Sequence, residues 1–167
     1  MSNHYIHTYR NFTSAITRTI PNTRSFFMGI IFSLLMLSCT PEVEPIQYGK
    51  HQCHSCKMNI VDRVHAAQYV TSKGKNFKFD AIECLIWEFA SKEDLDTFIV
   101  LVADYGQPGQ MTEASSATYQ ISPSIKSPMG AFLSAFSDIS KAKEAQEQFG
   151  GKLYTWDEVQ KQIQLQK

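Results

Sequence analysis

The sequence predicts a small α+β domain made of short antiparallel strands and helices, with a separate segment at its N-terminus. Two observations support this fold class. Short runs with alternating apolar residues, which are typical of strands, occur among runs with apolar residues at helical spacing. The two kinds follow one another in mixed order, without the regular strand–helix–strand alternation of a parallel sheet. Residues 39–167 provide the length of one domain with a modest core.

The N-terminal segment has the features of an export signal. Residues 1–25 contain three arginines and no acidic residue, and the apolar run at 26–37 is too short to cross a bilayer comfortably. The run ends at Ser38 and Cys39 in a pattern that resembles the cleavage site of a bacterial lipoprotein. We therefore predict a lipoprotein signal peptide over residues 1–38, with Cys39 as the lipidated first residue of a chain anchored in the bacterial cell envelope.

Net charge and cysteine count narrow the functions open to the exported chain. All sixteen acidic residues follow Cys39, together with thirteen Lys and Arg residues (sixteen minus the three leader arginines), so the net charge is about −3. No basic patch indicates a nucleic-acid partner. Three thiols remain, at Cys53, Cys56 and Cys84, and a purely structural disulfide scheme leaves one of them unpaired. The odd number favours a functional thiol.

The first elements of the exported chain are a tether and a hairpin. Pro41 and Pro45 predict an extended tether over residues 39–50, which is followed by a loop at 51–58. Two alternating segments then flank the turn sequence at 72–75 and predict a β-hairpin. The strands of this hairpin cover residues 65–71 and 76–79.

A helix is predicted directly after the hairpin. Asp80, with Glu83 three residues later, has the pattern of a capping box, and apolar residues at helical spacing continue to about Ser91. The continuous apolar run at 98–102 predicts a buried strand. The stretch 104–112, which contains glycine and proline, is predicted to be a loop.

The second half repeats this mixture of short elements. Residues 117–121 predict a strand, and the Ser/Pro-rich loop after it leads into Met129. An amphipathic helix is expected to end at Gly150-Gly151, and Thr155 is the expected N-cap of a terminal helix. The helix, the strand that follows it and the terminal helix cover residues 140–149, 152–155 and 156–165.

The segment Cys53-His54-Ser55-Cys56-Lys57-Met58 carries the most informative chemistry. Two thiols and a thioether are soft donors, and soft sulfur ligands select Cu(I), zinc or iron–sulfur clusters over hard cations. The thioether favours Cu(I), because methionine is a poor zinc ligand. His54 lies between the thiols and could complete a site. The segment therefore predicts a site that handles copper.

Two other interpretations of this segment remain open. A Cys-x-x-Cys pair also occurs in thiol–disulfide oxidoreductases, for which Cys53 and Cys56 would form the redox pair. It also occurs in zinc-stabilised binding modules, and here only Cys84 and scattered histidines remain to complete four ligands. Covalent haem attachment is excluded, because Lys57 rather than histidine follows Cys56.

The order of the motifs resembles that of the NosL family of lipid-anchored copper chaperones, over roughly residues 50–160. The motifs that carry the resemblance are Cys53-x-x-Cys56-x-Met58, Lys78-Phe79-Asp80, the helical Cys84, Ser127-Pro128-Met129-Gly130 and Gly150-Gly151-Lys152-Leu153-Tyr154-Thr155-Trp156. The resemblance implies a small mixed fold related in topology to that of organomercurial lyase. It also implies a non-enzymatic Cu(I) carrier that serves the maturation of nitrous oxide reductase or a similar exported copper enzyme. A lyase-like enzyme on the related fold, with Cys84 and Asp80 near a bound metal, remains an alternative.

Within this interpretation, residues 51–165 form the copper-binding domain, and no catalytic residue is expected. The predicted Cu(I) ligands are Cys53, Cys56, Met58 and Met129, with His54 and Cys84 as less favoured candidates. Cys84 is less favoured because a cysteine within an apolar helix is usually an inert buried thiol. One departure from the family pattern concerns Lys57, since many relatives have glycine at that position.

Overall fold

The structure is a computed structural model, and it describes residues 40–92 and 96–166. These residues form two antiparallel sheets and three helices, so the predicted α+β class is confirmed. The predicted signal peptide over residues 1–38 and the predicted lipidation site at Cys39 lie outside the described residues. Within the described ranges, no helix has both the length and the apolar character needed to cross a membrane.

The larger sheet has four strands in the order β2-β1-β3-β4. The strands are β1 (Ala67–Val70), β2 (Asn76–Phe79), β3 (Ile99–Ala103) and β4 (Met111–Glu113). The predicted hairpin is confirmed, since Val70 at the end of β1 pairs with Asn76 at the start of β2. The predicted loop over 104–112 is too long, because β4 begins inside it. Pairing with Leu101–Ala103 forms β4, and local sequence carries no signal for such a tertiary interaction.

The smaller sheet has three strands in the order β6-β5-β7. The strands are β5 (Thr118–Ile121), β6 (Leu133–Phe136) and β7 (Lys152–Tyr154). The sequence predicts β5 and β7 but not β6. All four residues of β6 are buried, so Leu133, Ser134, Ala135 and Phe136 show no alternation between apolar and polar faces.

The three helices occupy the predicted segments. They are α1 (Ile82–Ala90), α2 (Ile139–Phe149) and α3 (Trp156–Gln164). The predicted cap at Thr155 is confirmed as a reciprocal capping box with Glu158. The predicted cap at Asp80 is wrong. Ala81 occupies the N-cap position of α1 without a side-chain hydrogen bond, and the Glu83 carboxylate accepts a hydrogen bond from Ser127.

The main core lies where α1 and α3 meet the two sheets. Large side chains of this core, all less than 3% exposed, include Tyr69, Phe79, Leu85, Tyr119 and Ile163. The thiols of Cys53 and Cys84 belong to the same cluster. Two cysteines far apart in sequence are therefore held together by the packing that stabilises the domain.

The segment 40–50, predicted as part of an extended tether, contacts the edge of the larger sheet. The Glu44 backbone N–H donates to the Asn76 side chain at 3.0 Å, and the Glu44 carboxylate pairs with Lys78 at 3.1 Å. Ile46 and Tyr48 pack against a small second core, whose buried members are Ile60, Ala66 and Ala103. Residues 44–48 therefore fix the direction from which the chain enters the domain, while the boundary at residue 50 stays a prediction.

Candidate metal site

Three thiols and one carboxylate come together at one place in the structure. The sulfur atoms of Cys53, Cys56 and Cys84 and a carboxylate oxygen of Asp80 all lie within 4.8 Å of one another. We refer to these four residues as the thiol cluster. Cys53 and Cys84 are each 1% exposed, whereas Cys56 is only partly buried. The cluster is therefore buried on one side and open to solvent on the Cys56 side.

The loop at 51–58 positions two of the thiols through backbone hydrogen bonds. The N–H of Cys53 donates to the carbonyl of Met58 at 2.8 Å, and the N–H of Lys57 donates to the carbonyl of Cys53 at 3.1 Å. The N–H of His54 donates to the carbonyl of Lys78 at 2.7 Å, which attaches the loop to β2. These bonds turn the chain tightly, so that the Cys53 side chain points inward and that of Cys56 lies at the opening.

The junction between β2 and α1 supplies the other two members. Asp80 follows the last residue of β2, and Cys84 lies four residues later in the first turns of α1. The Cys56 thiol donates a hydrogen bond to Oδ1 of Asp80 at 3.3 Å. The second oxygen, Oδ2, is buried and has no hydrogen-bond partner among the described residues. A buried carboxylate oxygen without a donor favours a cation in the space beside it.

Hydrogen bonding and burial give the three thiols different pKa values. The Cys84 thiol donates to the sulfur of Cys53, and this bond lowers the pKa of Cys53 to about 6. The same bond, together with burial, raises the pKa of Cys84. Burial raises the pKa of Cys56 to about 11. At neutral pH the cluster therefore carries a thiolate at Cys53, which is the form that binds a soft metal ion.

In the reduced metal-free protein, we expect one thiol to ionise with a midpoint near pH 6, which can be followed by the ultraviolet absorbance of the thiolate. Because the pKa of Cys53 is lowered, its thiol is protonated below this pH and charged above it. Replacing Cys84 with alanine removes the donor, so the midpoint should rise towards the ordinary thiol value. A Ser55→Ala control, at an exposed position of the same loop, should leave it near pH 6. A midpoint unchanged in Cys84→Ala would contradict the assignment.

The other predicted ligands, Met58, Met129 and His54, have different surroundings. Met58 is 46% exposed beside the opening, and Met129 is half-buried against the core that contains Cys53 and Cys84. His54 directs its Nε2 atom to Glu88 at 3.5 Å and packs its ring edgewise on a neighbouring phenylalanine. Whether any of these side chains binds a metal stays a prediction.

A buried hydrogen-bond network fixes the loop that carries Met129. The Glu83 carboxylate on α1 accepts hydrogen bonds from the Ser127 hydroxyl and, at 3.4 Å, from the backbone N–H of Ala131. The Ser127 hydroxyl oxygen also accepts from the N–H of Phe132 at 2.9 Å. Glu83 directly precedes Cys84, so one turn of α1 holds both a member of the thiol cluster and the anchor of the Met129 loop.

Sequence reasoning placed Asp80 near a bound metal only in the alternative of a lyase-like enzyme, because its pattern predicts a helix cap. The signal for a shared site is its position, since Asp80 lies four residues before Cys84, where β2 ends and α1 begins. Cys84, predicted with less weight than the two loop thiols, lies in the cluster with them.

A small α+β domain with three clustered thiols and a carboxylate defines a candidate metal-binding protein. The family model described as NosL matches residues 46–164. The chain therefore belongs to the NosL family, as the order of its motifs predicts.

Two relatives support this assignment. The copper-binding lipoprotein NosL of Stutzerimonas stutzeri is 28% identical over 126 residues, which cover 70% of this chain and 66% of that protein. The chain thus spans just under two thirds of the length of that relative. The crystal structure of the copper chaperone NosL from Shewanella denitrificans matches with a TM-score of 0.59 and 25% identity, over 70% of this chain and 94% of that one. One relative is named for copper binding and the other as a copper chaperone, in agreement with the predicted non-enzymatic role.

Proposed function

We propose that this protein binds Cu(I) as a cargo and transfers it to another protein outside the cytoplasm. The single observation that carries the proposal is the thiol cluster, in which three sulfur atoms and a carboxylate oxygen lie within 4.8 Å of one another. Soft thiolates favour Cu(I) over the hard cations, and a copper carrier needs only a small number of them. The names of the relatives, a copper-binding lipoprotein and a copper chaperone, agree with this chemistry.

The spacing of the thiol cluster suits a small soft ion. Metal–sulfur bonds of about 2.3 Å place two sulfur atoms on opposite sides of an ion about 4.6 Å apart. The sulfur atoms here lie within 4.8 Å of one another, which is close to that separation. We assign Cys53 and Cys56 as thiolate ligands and Met58 and Met129 as thioether donors from the two halves of the domain. Cys84 is close enough to replace either thioether.

The graded burial of the donors supports transfer rather than permanent storage. Cys53 is inaccessible, Cys56 is partly exposed, and the Met58 side chain is 46% exposed. An incoming ligand from a partner can reach an ion on the Cys56 and Met58 side while Cys53 still holds it. Exchange can therefore proceed one bond at a time, without release of the free ion.

The family and the leader sequence support a proposed location and a proposed recipient. We propose that a lipid on Cys39 anchors the chain in the cell envelope, facing the periplasm or the exterior. The proposed recipient is nitrous oxide reductase, its maturation machinery, or a similar exported copper enzyme. The segment at residues 44–48 would then attach the domain to its anchor through contacts with β2.

Asp80 supports a second candidate function, that of a zinc-stabilised binding module. Three thiolates and a carboxylate supply the four donors of a closed tetrahedral zinc site. Four anionic ligands around a divalent ion leave two uncompensated negative charges, however, beside residues that are 1% exposed. Burying such a charge is costly, but Cu(I) with two thiolates beside the Asp80 carboxylate leaves the same net charge of −2. The proposed thioether donors Met58 and Met129 favour copper instead, because methionine is a poor zinc ligand.

A competition titration distinguishes the two candidates. The reduced protein is titrated with Cu(I) against a chromophoric Cu(I) chelator, and in parallel with zinc against a zinc indicator. We expect tight binding of Cu(I), weak binding of zinc, and a thermal midpoint that chelators leave unchanged, because the apo core is complete without a metal. Tight zinc binding with unfolding on chelation would overturn the carrier function and establish the structural role.

A further inference from the structure

The three thiols of the thiol cluster differ in the access that a dissolved reagent has to them. Cys56 is partly exposed, whereas Cys53 and Cys84 are each 1% exposed. All three are free thiols, and their sulfur atoms lie within 4.8 Å of one another. A disulfide has a sulfur–sulfur distance of about 2.05 Å, so short movements of these side chains would bring two of the sulfurs together. Access and backbone geometry favour one pair over the others.

Cys53 and Cys56 lie within one tight turn of the chain. The backbone N–H of Lys57 donates to the carbonyl of Cys53 at 3.1 Å, and Lys57 ends the turn in the left-handed conformation, with φ +66°. A tight turn keeps Cα atoms three residues apart within about 7 Å, and a disulfide needs a separation of about 4.4–6.8 Å. The backbone of this pair therefore already has a conformation that suits a disulfide.

Cys84 is the thiol that is least suited to react. It lies on α1 inside the main core, and its thiol donates to the sulfur of Cys53. Thiol–disulfide exchange begins at an accessible sulfur, and its nucleophile is a thiolate. The hydrogen bond places a proton on Cys84 and leaves Cys53 as the acceptor sulfur. Cys53 is therefore the better nucleophile towards Cys56, and Cys84 is closed to reagents from solvent.

We propose that Cys53 and Cys56 form a reversible disulfide that prevents uptake of Cu(I), so that the protein accepts copper only after reduction by a dithiol. The proposal rests on the proposed function and adds the regulation of the same site. The disulfide joins the two sulfurs assigned as thiolate ligands, and a disulfide sulfur carries no thiolate charge with which to hold the ion. Bound Cu(I) occupies the same two sulfurs and in turn protects them from oxidation.

The oxidant in this reaction is an external disulfide, RSSR. The Cys56 sulfur attacks one sulfur of RSSR, which breaks the S–S bond and releases one RS⁻. Cys53 then attacks the Cys56 sulfur of the mixed disulfide, which forms the Cys53–Cys56 bond and releases the second RS⁻. Counted from neutral thiols, the protein loses two electrons and two protons, and RSSR gains them as two RSH. A dithiol reverses both steps through the accessible Cys56 sulfur and is itself oxidised to a disulfide.

Oxidation of the reduced protein with glutathione disulfide tests this proposal. The remaining thiols are alkylated under denaturing conditions, and peptide mapping by mass spectrometry identifies the cysteines that are joined. We expect a disulfide between Cys53 and Cys56 and an alkylated Cys84. Cu(I) affinity, measured against a chromophoric chelator, should fall at least about 100-fold on oxidation and return after treatment with dithiothreitol. Protein loaded with Cu(I) beforehand should form the disulfide more slowly than the metal-free protein.

Two variants identify the thiol at which oxidation begins. Cys56→Ser removes the accessible thiol, so the two buried thiols should stay reduced over the time in which the wild-type protein is oxidised. Ser55→Ala, at an exposed position of the same turn, is the matched control and should be oxidised like the wild type. A Cys53–Cys84 disulfide, or a glutathione adduct that persists on Cys56, would overturn the proposal.

The same measurements separate this proposal from the proposed function. A mapped Cys53–Cys56 disulfide with unchanged Cu(I) affinity would overturn the regulation alone, because other donors would then hold the ion. Failure of the reduced protein to bind Cu(I) would overturn the proposed function and, with it, the regulation of copper uptake.

Discussion

Replacing Cys56 with alanine should lower the Cu(I) affinity of the reduced protein at least about 100-fold while the apo fold remains stable. Changes in groups that merely orient metal ligands already cost about 10- to 100-fold in affinity, so loss of a ligand should cost at least the upper figure. Cys56 is also the thiol at the open side of the cluster. Its removal takes away one metal–sulfur bond and also the thiol that Cu(I) would meet first from solvent. Competition against a chromophoric Cu(I) chelator measures the loss.

Burial explains why this variant separates binding from folding. Cys56 is only partly buried, so alanine leaves no large cavity, and the thermal midpoint should change little. The neighbouring variant Ser55→Ala, at an exposed position of the same loop, should retain wild-type affinity. Cys84→Ala should lower stability as well, because Cys84 is 1% exposed within the main core. Wild-type affinity in Cys56→Ala would show that Cu(I) is held by the deeper thiols instead.

The fold was largely predictable because its elements carry local signals. The hairpin has a turn sequence between alternating segments, and α3 begins with the reciprocal Thr155 and Glu158 cap. The strands β4 and β6 lack such signals. Strand β4 forms through pairing with Leu101–Ala103, and all four residues of β6 are buried. Where tertiary contacts alone determine a strand, a single sequence contains too little information to place it.

The candidate site was predictable in part, for a related reason. Cys53 and Cys56 are neighbours in sequence, so their spacing alone indicates a shared site. Asp80 and Cys84 join them because His54 is hydrogen-bonded to the end of β2 and because α1 starts immediately afterwards. The two residues of that contact are 24 positions apart in the chain, and no periodic pattern in the sequence indicates it. The Lys57 conformation is likewise visible only in the backbone.

The Gly150-Gly151 motif is structural, and its two residues have different constraints. Both have positive φ, of +70° and +88°. A Cβ atom at Gly150 would meet nothing within 4 Å, whereas one at Gly151 would lie 2.2 Å from the carbonyl oxygen of Ile121 and 2.9 Å from Cα of Ser122. The close approach arises because β7 begins at the next residue and pairs with β5 at Ile121. Neither backbone can withdraw without breaking the smaller sheet.

Gly151→Ala should therefore destabilise the domain by about 3 kcal/mol or more, since backbone strain and a clash with fixed backbone add together. Gly150→Ala should cost about 2 kcal/mol, because its φ of +70° and ψ of −159° lie in a region that is essentially restricted to glycine. For a domain of this size, the first change lowers the thermal midpoint by more than about 10 °C and the second by about 8 °C. Calorimetry of the two variants measures the difference. Equal shifts would contradict the clash, because they would show that the backbone at Ile121 can move to accept the added Cβ atom. A larger shift for Gly151→Ala would show that the pairing of β5 with β7 stabilises the whole domain.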